Sequence, residues 1–131
     1  MPAPGGSGTG AGTTAPYSLY CNNRVEASEF DATSDERLKD IHGEIELNDA
    51  IKLINNVKPI KFTWKSDTEN KPQVGVLAQS VQTVVPEAVE SATISMDNPD
   101  EYLTVRYTEL IPLMIASIQA LKAEVDSLKA Q

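Results

Sequence analysis

A regular apolar repeat near the C-terminal end is the feature that most constrains the fold. Between residues 108 and 131, six apolar side chains recur at alternating spacings of three and four residues: Ile111, Met114, Ile118, Leu121, Val125 and Leu128. This a/d heptad spacing is typical of helices that associate along a narrow seam. In the same register Glu124 occupies position g and Lys129 the following position e, where opposite charges face each other in parallel helices. The repeat predicts a long association helix over residues 108–131, with Thr108 as its N-cap.

The alternative is a single amphipathic helix that docks on its own domain. In the first half of the helix, Leu110, Leu113 and Ile115 broaden the apolar stripe, so we expect this half to pack on the domain as well. Between residues 120 and 131 the seam is narrow and flanked by charge, which favours a coiled coil. The seam alone does not fix the number of helices, since Ile or Val at a with Leu at d also suits dimers.

Composition excludes several classes of function. The net charge is −8 and no cluster of Lys or Arg stands out, so we expect no nucleic-acid binding. No apolar run approaches the roughly 20 residues that span a bilayer, so we expect no membrane partner. Cys21 is the only cysteine, which rules out a disulfide framework; we interpret it as a small apolar filler. No metal or nucleotide motif is present, and the sequence predicts no cofactor.

Two segments precede the densely patterned part of the chain. Residues 1–16 hold five of the seven glycines among Pro, Ser and Thr, a composition that predicts a flexible leader or linker. Residues 17–33 contain short β-leaning pieces around Asn22-Asn23, but too few apolar residues to close a core. We interpret 17–33 as the end of an extended β stem that lies mostly upstream and is completed by other chains.

From Ser34 onward the pattern is mixed and predicts an α+β fold: a small domain of short strands and helices, followed by the long C-terminal helix. A helix begins at Asn48 as its N-cap and stops before Pro59. Phe62 and Trp64 are interpreted as core residues. Further elements follow from alternation, turn residues and Pro86: strands at 60–64, 74–77 and 102–107, a helix at 79–85, and a turn at 97–100.

The segment 33–41, TSDERLKDI, resembles the junction of the endosialidase-type intramolecular chaperone family, with its pattern Ser-Asp-x-Arg-x-Lys. Ser34, Asp35, Arg37 and Lys39 match that pattern, whereas Ile41 stands one residue earlier than expected. The resemblance continues through the helix before Pro59 and the FTW, GVLAQ, VPE and VRY stretches to the terminal helix. It covers about residues 34–131, and the order of elements makes it more specific than the short motif.

The resemblance implies a function and a site. Members of the family lie at the C-termini of phage tail spikes and tail fibres, form homotrimers with a parallel coiled-coil-like bundle, and register the upstream chains into a triple β-helix or similar stem. They then release themselves by autoproteolysis with a serine–lysine dyad. Carried over, the cut bond is Thr33–Ser34, the nucleophile is Ser34 and the base is Lys39. The chaperone and auto-protease domain is then 34–131, made in the host cytoplasm as part of a virion tail fibre or spike precursor and released after cleavage.

The implied chemistry is reasonable for these residue types. A serine hydroxyl can attack the carbonyl of the preceding residue through a five-membered ring, and water then hydrolyses the resulting ester. A lysine free in water has a pKa of about 10.4, so only about one in a few thousand is neutral at pH 7. Because burial and a like charge favour the neutral amine, we expect the dyad to work only in an assembled, partly dry site.

The sequence does not decide which residues support the proposed dyad, how its two members meet, or whether the chain cleaves at all. Asp35, Arg37, His42 and Gln79 are possible supporting residues, and His42 competes with Lys39 as the base. Ser34 and Lys39 lie five residues apart, so regular structure does not bring them together. A turn or a neighbouring chain is required. Thr33 and Glu36 can instead form a capping box at a helix start. A trimerisation module that never cleaves and stays attached to its fibre is the rival function.

Overall fold

The computed structural model describes residues 18–21, 23–95 and 98–131. The predicted leader, and part of the predicted turns at 22–23 and 97–100, lie outside these residues. The elements in chain order are the helix α1 (Leu47–Ile54), strands β1 (Pro59–Phe62) and β2 (Gln73–Val76), helix α2 (Ala78–Val84), strands β3 (Val89–Ser95) and β4 (Asn98–Val105), and helix α3 (Tyr107–Lys129). Single 3₁₀ turns occupy Glu36–Leu38 and Pro86–Ala88. The predicted α+β domain with a long terminal helix is therefore confirmed.

The four strands form two separate antiparallel pairs. In the β1–β2 pair, Ile60 lies opposite Gly75 and Phe62 opposite Gln73. In the β3–β4 pair, Ala92 lies opposite Tyr102, and the register shifts between Thr93 and Ser95. Neither pair is wide enough to bury both of its faces by itself, so the helices must provide the core.

The core lies where α1, α2 and α3 meet. It consists of small and branched aliphatic side chains: Ala50, Val81, Val85, Ala88, Leu110, Leu113 and Ala116. Val81 is the largest of the fully buried side chains. Of the three residues that we expected to dock the first half of the terminal helix, Leu110 and Leu113 are buried, whereas Ile115 is 52 % exposed. A small domain with such a core is expected to have a low free energy of unfolding.

Replacing Val81 with alanine is expected to destabilise the domain by about 2 kcal/mol, because two buried methyl groups are lost and a small void remains. The matched control is Val74→Ala in β2, since Val74 is 80 % exposed while Val81 is 0 % exposed. In urea denaturation, the midpoint of the Val81→Ala variant should be lower than that of the wild type, and the midpoint of the Val74→Ala variant should be almost unchanged. Equal midpoints for the two variants would show that the core has been placed wrongly.

Several local predictions differ from the structure. The N-cap of α1 is Glu46, whose carboxylate accepts the backbone N–H of Asp49 at 2.8 Å, rather than Asn48. Trp64 is not a core residue: it is 58 % exposed, although its ring meets that of Phe62 edge to face at 4.9 Å. Cys21 is exposed rather than packed as a filler.

The segment before the domain makes no regular structure in the single chain. Residues 18–21 and 23–33 contain neither helix nor strand, and every one of them is exposed. Leu19, Val25 and Phe30 are among these exposed residues, and each is apolar. These apolar side chains therefore contribute nothing to the core of the single chain.

Candidate active site

A single turn brings Ser34 and Lys39 together within one chain. Asp35 is extended, residues Glu36–Leu38 form a 3₁₀ turn, and Lys39 is extended again with φ −120° and ψ 140°. Across this turn, Lys39 Nζ donates a hydrogen bond to Ser34 Oγ at 2.7 Å. No neighbouring chain is needed for this contact. The Lys39 amine therefore lies against the hydroxyl of Ser34, and the backbone nitrogen of Ser34 forms the peptide bond to the Thr33 carbonyl.

Asp35 and Arg37 hold the turn. Asp35 Oδ1 accepts the backbone N–H of Arg37 at 2.9 Å, and Arg37 Nη2 donates to Asp35 Oδ2 at 2.8 Å. The Arg37 side chain, and then its backbone N–H, hold the pKa of the Asp35 carboxyl below its ordinary value of 3.8. The same ion pair raises the pKa of the Arg37 guanidinium. The carboxylate is therefore both the cap of the turn and the partner of Arg37.

These bonds overturn the alternative of a capping box between Thr33 and Glu36. The capping residue is Asp35, two residues after Thr33, and the helix that it caps is a single turn. A short carboxylate side chain reaches the backbone N–H two residues on, which favours a tight turn over a longer helix.

Ser34 and Lys39 are both exposed in the single chain. Their apolar neighbours are exposed too, with Leu38 74 % and Ile41 64 % accessible. Water therefore reaches the Ser34–Lys39 contact freely, and the dry surroundings expected of a working lysine base are not supplied by this chain alone.

The four possible supporting residues divide into two groups. Asp35 and Arg37 bond to each other beside the dyad. His42 and Gln79 are exposed, and among the described residues no hydrogen bond joins either of them to Ser34 or Lys39. Gln79 lies in the first turn of α2, and His42 precedes Gly43, which has a positive φ of +139° in a segment without helix or strand.

The terminal helix α3 presents two different faces. Its domain-facing side buries Leu110, Leu113, Ala116, Ser117 and Ala120. All six residues of the predicted seam remain exposed: Ile111, Met114, Ile118, Leu121, Val125 and Leu128. From Leu121 to Gln131 every residue is exposed, so this part of the helix extends beyond the core. The helix thus docks on its own domain and still presents an unused apolar seam.

Sequence reasoning missed the role of the junction between β4 and α3. Arg106 bonds the backbone carbonyl of Glu87 and pairs with the Glu90 carboxylate at 2.9 Å. The hydroxyl of Tyr107 accepts the backbone N–H of Val76 at 3.1 Å. Tyr107 was predicted to end a strand because it continues the alternation from Tyr102, and the sequence gives no sign of a hydrogen bond across 31 residues.

Neither a metal centre nor a membrane span emerges from the described part of the chain. Over residues 18–21, 23–95 and 98–131, no group of three or more His, Cys, Asp or Glu side chains is placed to hold a metal ion. Within the same ranges, no helix is both long and apolar enough to cross a bilayer.

Comparison with known proteins gives a consistent result. Residues 34–90 match the family described as chaperone of endosialidase. The long tail fibre proteins Gp37 of Enterobacteria phages K3 and T2 are each 30 % identical to this chain over 114 residues, or 86 % of its length. The chain spans only 9 % and 8 % of those two relatives. The family match begins at Ser34, the residue whose hydroxyl accepts the hydrogen bond from Lys39, and it confirms the predicted resemblance to the endosialidase chaperone family over residues 34–90.

Proposed function

We propose that this chain is the C-terminal chaperone of a phage tail fibre or spike, which trimerises through α3, registers the upstream stem, and releases itself by cutting the Thr33–Ser34 bond. The observation that carries the proposal is the 2.7 Å hydrogen bond from Lys39 Nζ to Ser34 Oγ. It lies at the position where the family match begins, and the matching family bears the name of a peptidase. Both long tail fibre relatives support the assignment to a fibre of the virion tail.

The proposed reaction needs only these two side chains and water. The neutral amine of Lys39 takes the proton from Ser34 Oγ, which attacks the Thr33 carbonyl carbon through a five-membered ring. The C–N bond breaks, the Ser34 nitrogen takes the proton back from Lys39, and an ester joins the Thr33 carboxyl group to Ser34 Oγ. Water hydrolyses this ester. The products are a Thr33 carboxylate and a fragment 34–131 with a free amine on Ser34.

Assembly is proposed to control the timing of this reaction. In the single chain Ser34 and Lys39 are exposed, and so are the apolar residues Leu38 and Ile41 next to them. A second and third copy, held by the exposed seam of α3, would cover this segment and exclude water. Because dehydration favours the neutral form of an amine, the hydroxyl is activated only after the chains have assembled.

The chaperone role follows from the cost of starting a triple-stranded β stem. Pairing between distant or separate chains is slow, since the entropy of bringing them together is lost before contacts form. A clamp at one end lowers that cost for segment 17–33 and for whatever stem precedes it. Cleavage afterwards leaves the stem kinetically trapped, because an unfolded stem would lack its clamp.

Arg24 offers a direct test of registration, because it is the only Lys or Arg in residues 1–33. In the Ser34→Ala chain, which keeps this segment attached, we expect trimerisation to protect the bond after Arg24 from trypsin by about tenfold or more, as ordering suppresses local opening. The comparison is the Ser34→Ala chain with Ile118→Glu added, in which the seam is broken. Equal rates of cutting in both chains would contradict a role in ordering the stem.

A trimerisation module that stays attached remains the second candidate, and the exposed seam of α3 favours it equally. The wild-type chain distinguishes this module from the self-cleaving chaperone. A stable trimer that still contains residues 1–33 after prolonged incubation identifies the attached module. A trimer composed of 34–131 identifies the self-cleaving chaperone.

A further inference from the structure

We infer that Arg37 is a positioning residue for self-cleavage, which binds the Asp35 carboxylate and so keeps it from capturing the Lys39 amine. This inference rests on the proposed function, since it concerns the same Ser34–Lys39 contact. The hydrogen bonds of the Arg37 side chain go to Asp35, not to Ser34 or Lys39. It acts through Asp35, the residue that follows the nucleophile directly in the chain.

The bonds between Asp35 and Arg37 use both carboxylate oxygens. Oδ1 accepts the Arg37 backbone N–H at 2.9 Å and Nε at 3.1 Å, while Oδ2 accepts Nη2 at 2.8 Å. Such a forked pairing suits a guanidinium and cannot be reproduced by an ammonium group. Among the described residues, every hydrogen bond made by 34–39 stays within that segment. The Arg37 side chain is therefore the cation that occupies this carboxylate.

The position of Asp35 explains why it must be occupied. Lys39 bonds to the hydroxyl of Ser34, the residue that directly precedes Asp35 in the chain. A free carboxylate near an amine favours the protonated form and competes for it as a hydrogen-bond partner. Either effect would withhold the base from Ser34. Glu36 and Asp40 are the other acidic groups on the segment, and both are exposed.

If the Asp35 carboxylate competes with Ser34 for the Lys39 amine, removing that carboxylate should restore cleavage in a chain that lacks Arg37. A purely structural role of Arg37 predicts no such recovery. Arg37→Gln removes the guanidinium from the Asp35 carboxylate and leaves only the backbone N–H of residue 37 bonded to it. It should slow self-cleavage by about tenfold or more, since displacing a catalytic group by about 1 Å can cost on the order of 10²-fold. Adding Asp35→Asn removes the competing charge, and asparagine still caps a turn. The double variant should therefore cleave faster than Arg37→Gln alone. Arg37→Lys, which keeps the charge without the fork, should be intermediate.

The pH profile gives a second readout. Arg37 lowers the pKa of Asp35, so the pair is complete above the ordinary value of 3.8 and is lost as pH falls through the lowered value. Asp35 therefore stays ionised between about pH 5 and 9, and its own titration leaves no step in the wild-type rate there. In Arg37→Gln the unpaired carboxylate should move the rise of the rate to higher pH, and Asp35→Asn should move it back.

The experiment follows loss of residues 1–33 from the full chain and its variants by intact mass, with trimer content measured in parallel by light scattering. The inference is overturned if Arg37→Gln trimerises and cleaves like the wild type, or if Asp35→Asn brings no recovery in the Arg37→Gln chain. If a variant does not trimerise alone, it is mixed with an excess of the uncleavable Ser34→Ala chain so that mixed trimers form. Its cleavage rate is then compared with that of wild-type chain mixed in the same way, at equal trimer content. A wild-type trimer that never cleaves refutes the proposed function itself, which distinguishes the two failures.

Discussion

Replacing Ser34 with alanine is expected to leave the chain whole under conditions in which the wild-type chain loses residues 1–33. Alanine has no hydroxyl to attack the Thr33 carbonyl, so the rate should fall by on the order of 10³-fold or more, as for other catalytic nucleophiles. Lys39→Ala should have the same effect. Lys39→Arg is the sharper variant, because arginine keeps a hydrogen-bond donor near Ser34 Oγ but is not deprotonated in proteins and provides no base. Intact mass after a fixed incubation measures all three.

The chain offers matched controls between β1 and β2. Ser66 and Lys65 are an exposed serine and an exposed lysine in the segment that follows β1, remote in sequence from the dyad. Ser66→Ala and Lys65→Ala should cleave like the wild type. Continued cleavage at Thr33–Ser34 in the Ser34→Ala chain, or normal cleavage with arginine at position 39, would eliminate the dyad mechanism.

Introducing a charge into the α3 seam is expected to abolish both assembly and cleavage. Ile118 is 66 % exposed in the single chain, so Ile118→Glu should leave the domain folded while it removes an apolar contact from each of the three helices. Burial of one such side chain contributes about 2 kcal/mol, so three losses weaken the trimer by roughly 6 kcal/mol, or about four orders of magnitude. Light scattering should therefore find monomers, and intact mass should find the uncut chain.

Gln119→Glu provides the matched control for this variant. Gln119 is the next residue of α3, is exposed, and lies outside the seam, so the same acidic side chain there should leave trimers and cleavage intact. Circular dichroism should show that both variants keep their helices. A trimer that survives Ile118→Glu would place the interface elsewhere, and cleavage by the monomeric variant would separate cleavage from assembly.

The terminal helix shows how far the sequence predicts this fold. Heptad spacing predicted the extent of α3 closely, because helix periodicity is a strong local signal, although the N-cap is Arg106 rather than Thr108. The broader stripe predicted the docking of Leu110 and Leu113 correctly but that of Ile115 wrongly. The sequence predicted segments that overlap β1, β2 and β4, but it did not predict how the strands pair or in which register, because their partners lie elsewhere in the chain. Tyr107 is the clearest example: it continues a strand pattern, yet it starts α3 and accepts a bond from Val76.

At the candidate site, sequence supplied the residues and left their geometry open. The resemblance singled out Ser34 and Lys39, but a separation of five residues does not reveal that a 3₁₀ turn brings their side chains within 2.7 Å. The capping box looked plausible because Thr33 and Glu36 have the right spacing. Asp35 is the N-cap instead, because its side chain accepts hydrogen bonds from both the backbone and the guanidinium of Arg37. Rules that consider only the spacing of two residues do not include this combination.

Intact mass measured on the light-scattering fractions of freshly purified wild-type chain is the most direct test of coupled assembly and self-cleavage. We predict that the fragment 34–131, with serine as its first residue, forms only in fractions that contain trimers, and that its amount rises with protein concentration and time. A monomeric chain that retains residues 1–33 at every concentration would contradict the account, as would cleavage at equal rates in monomer and trimer.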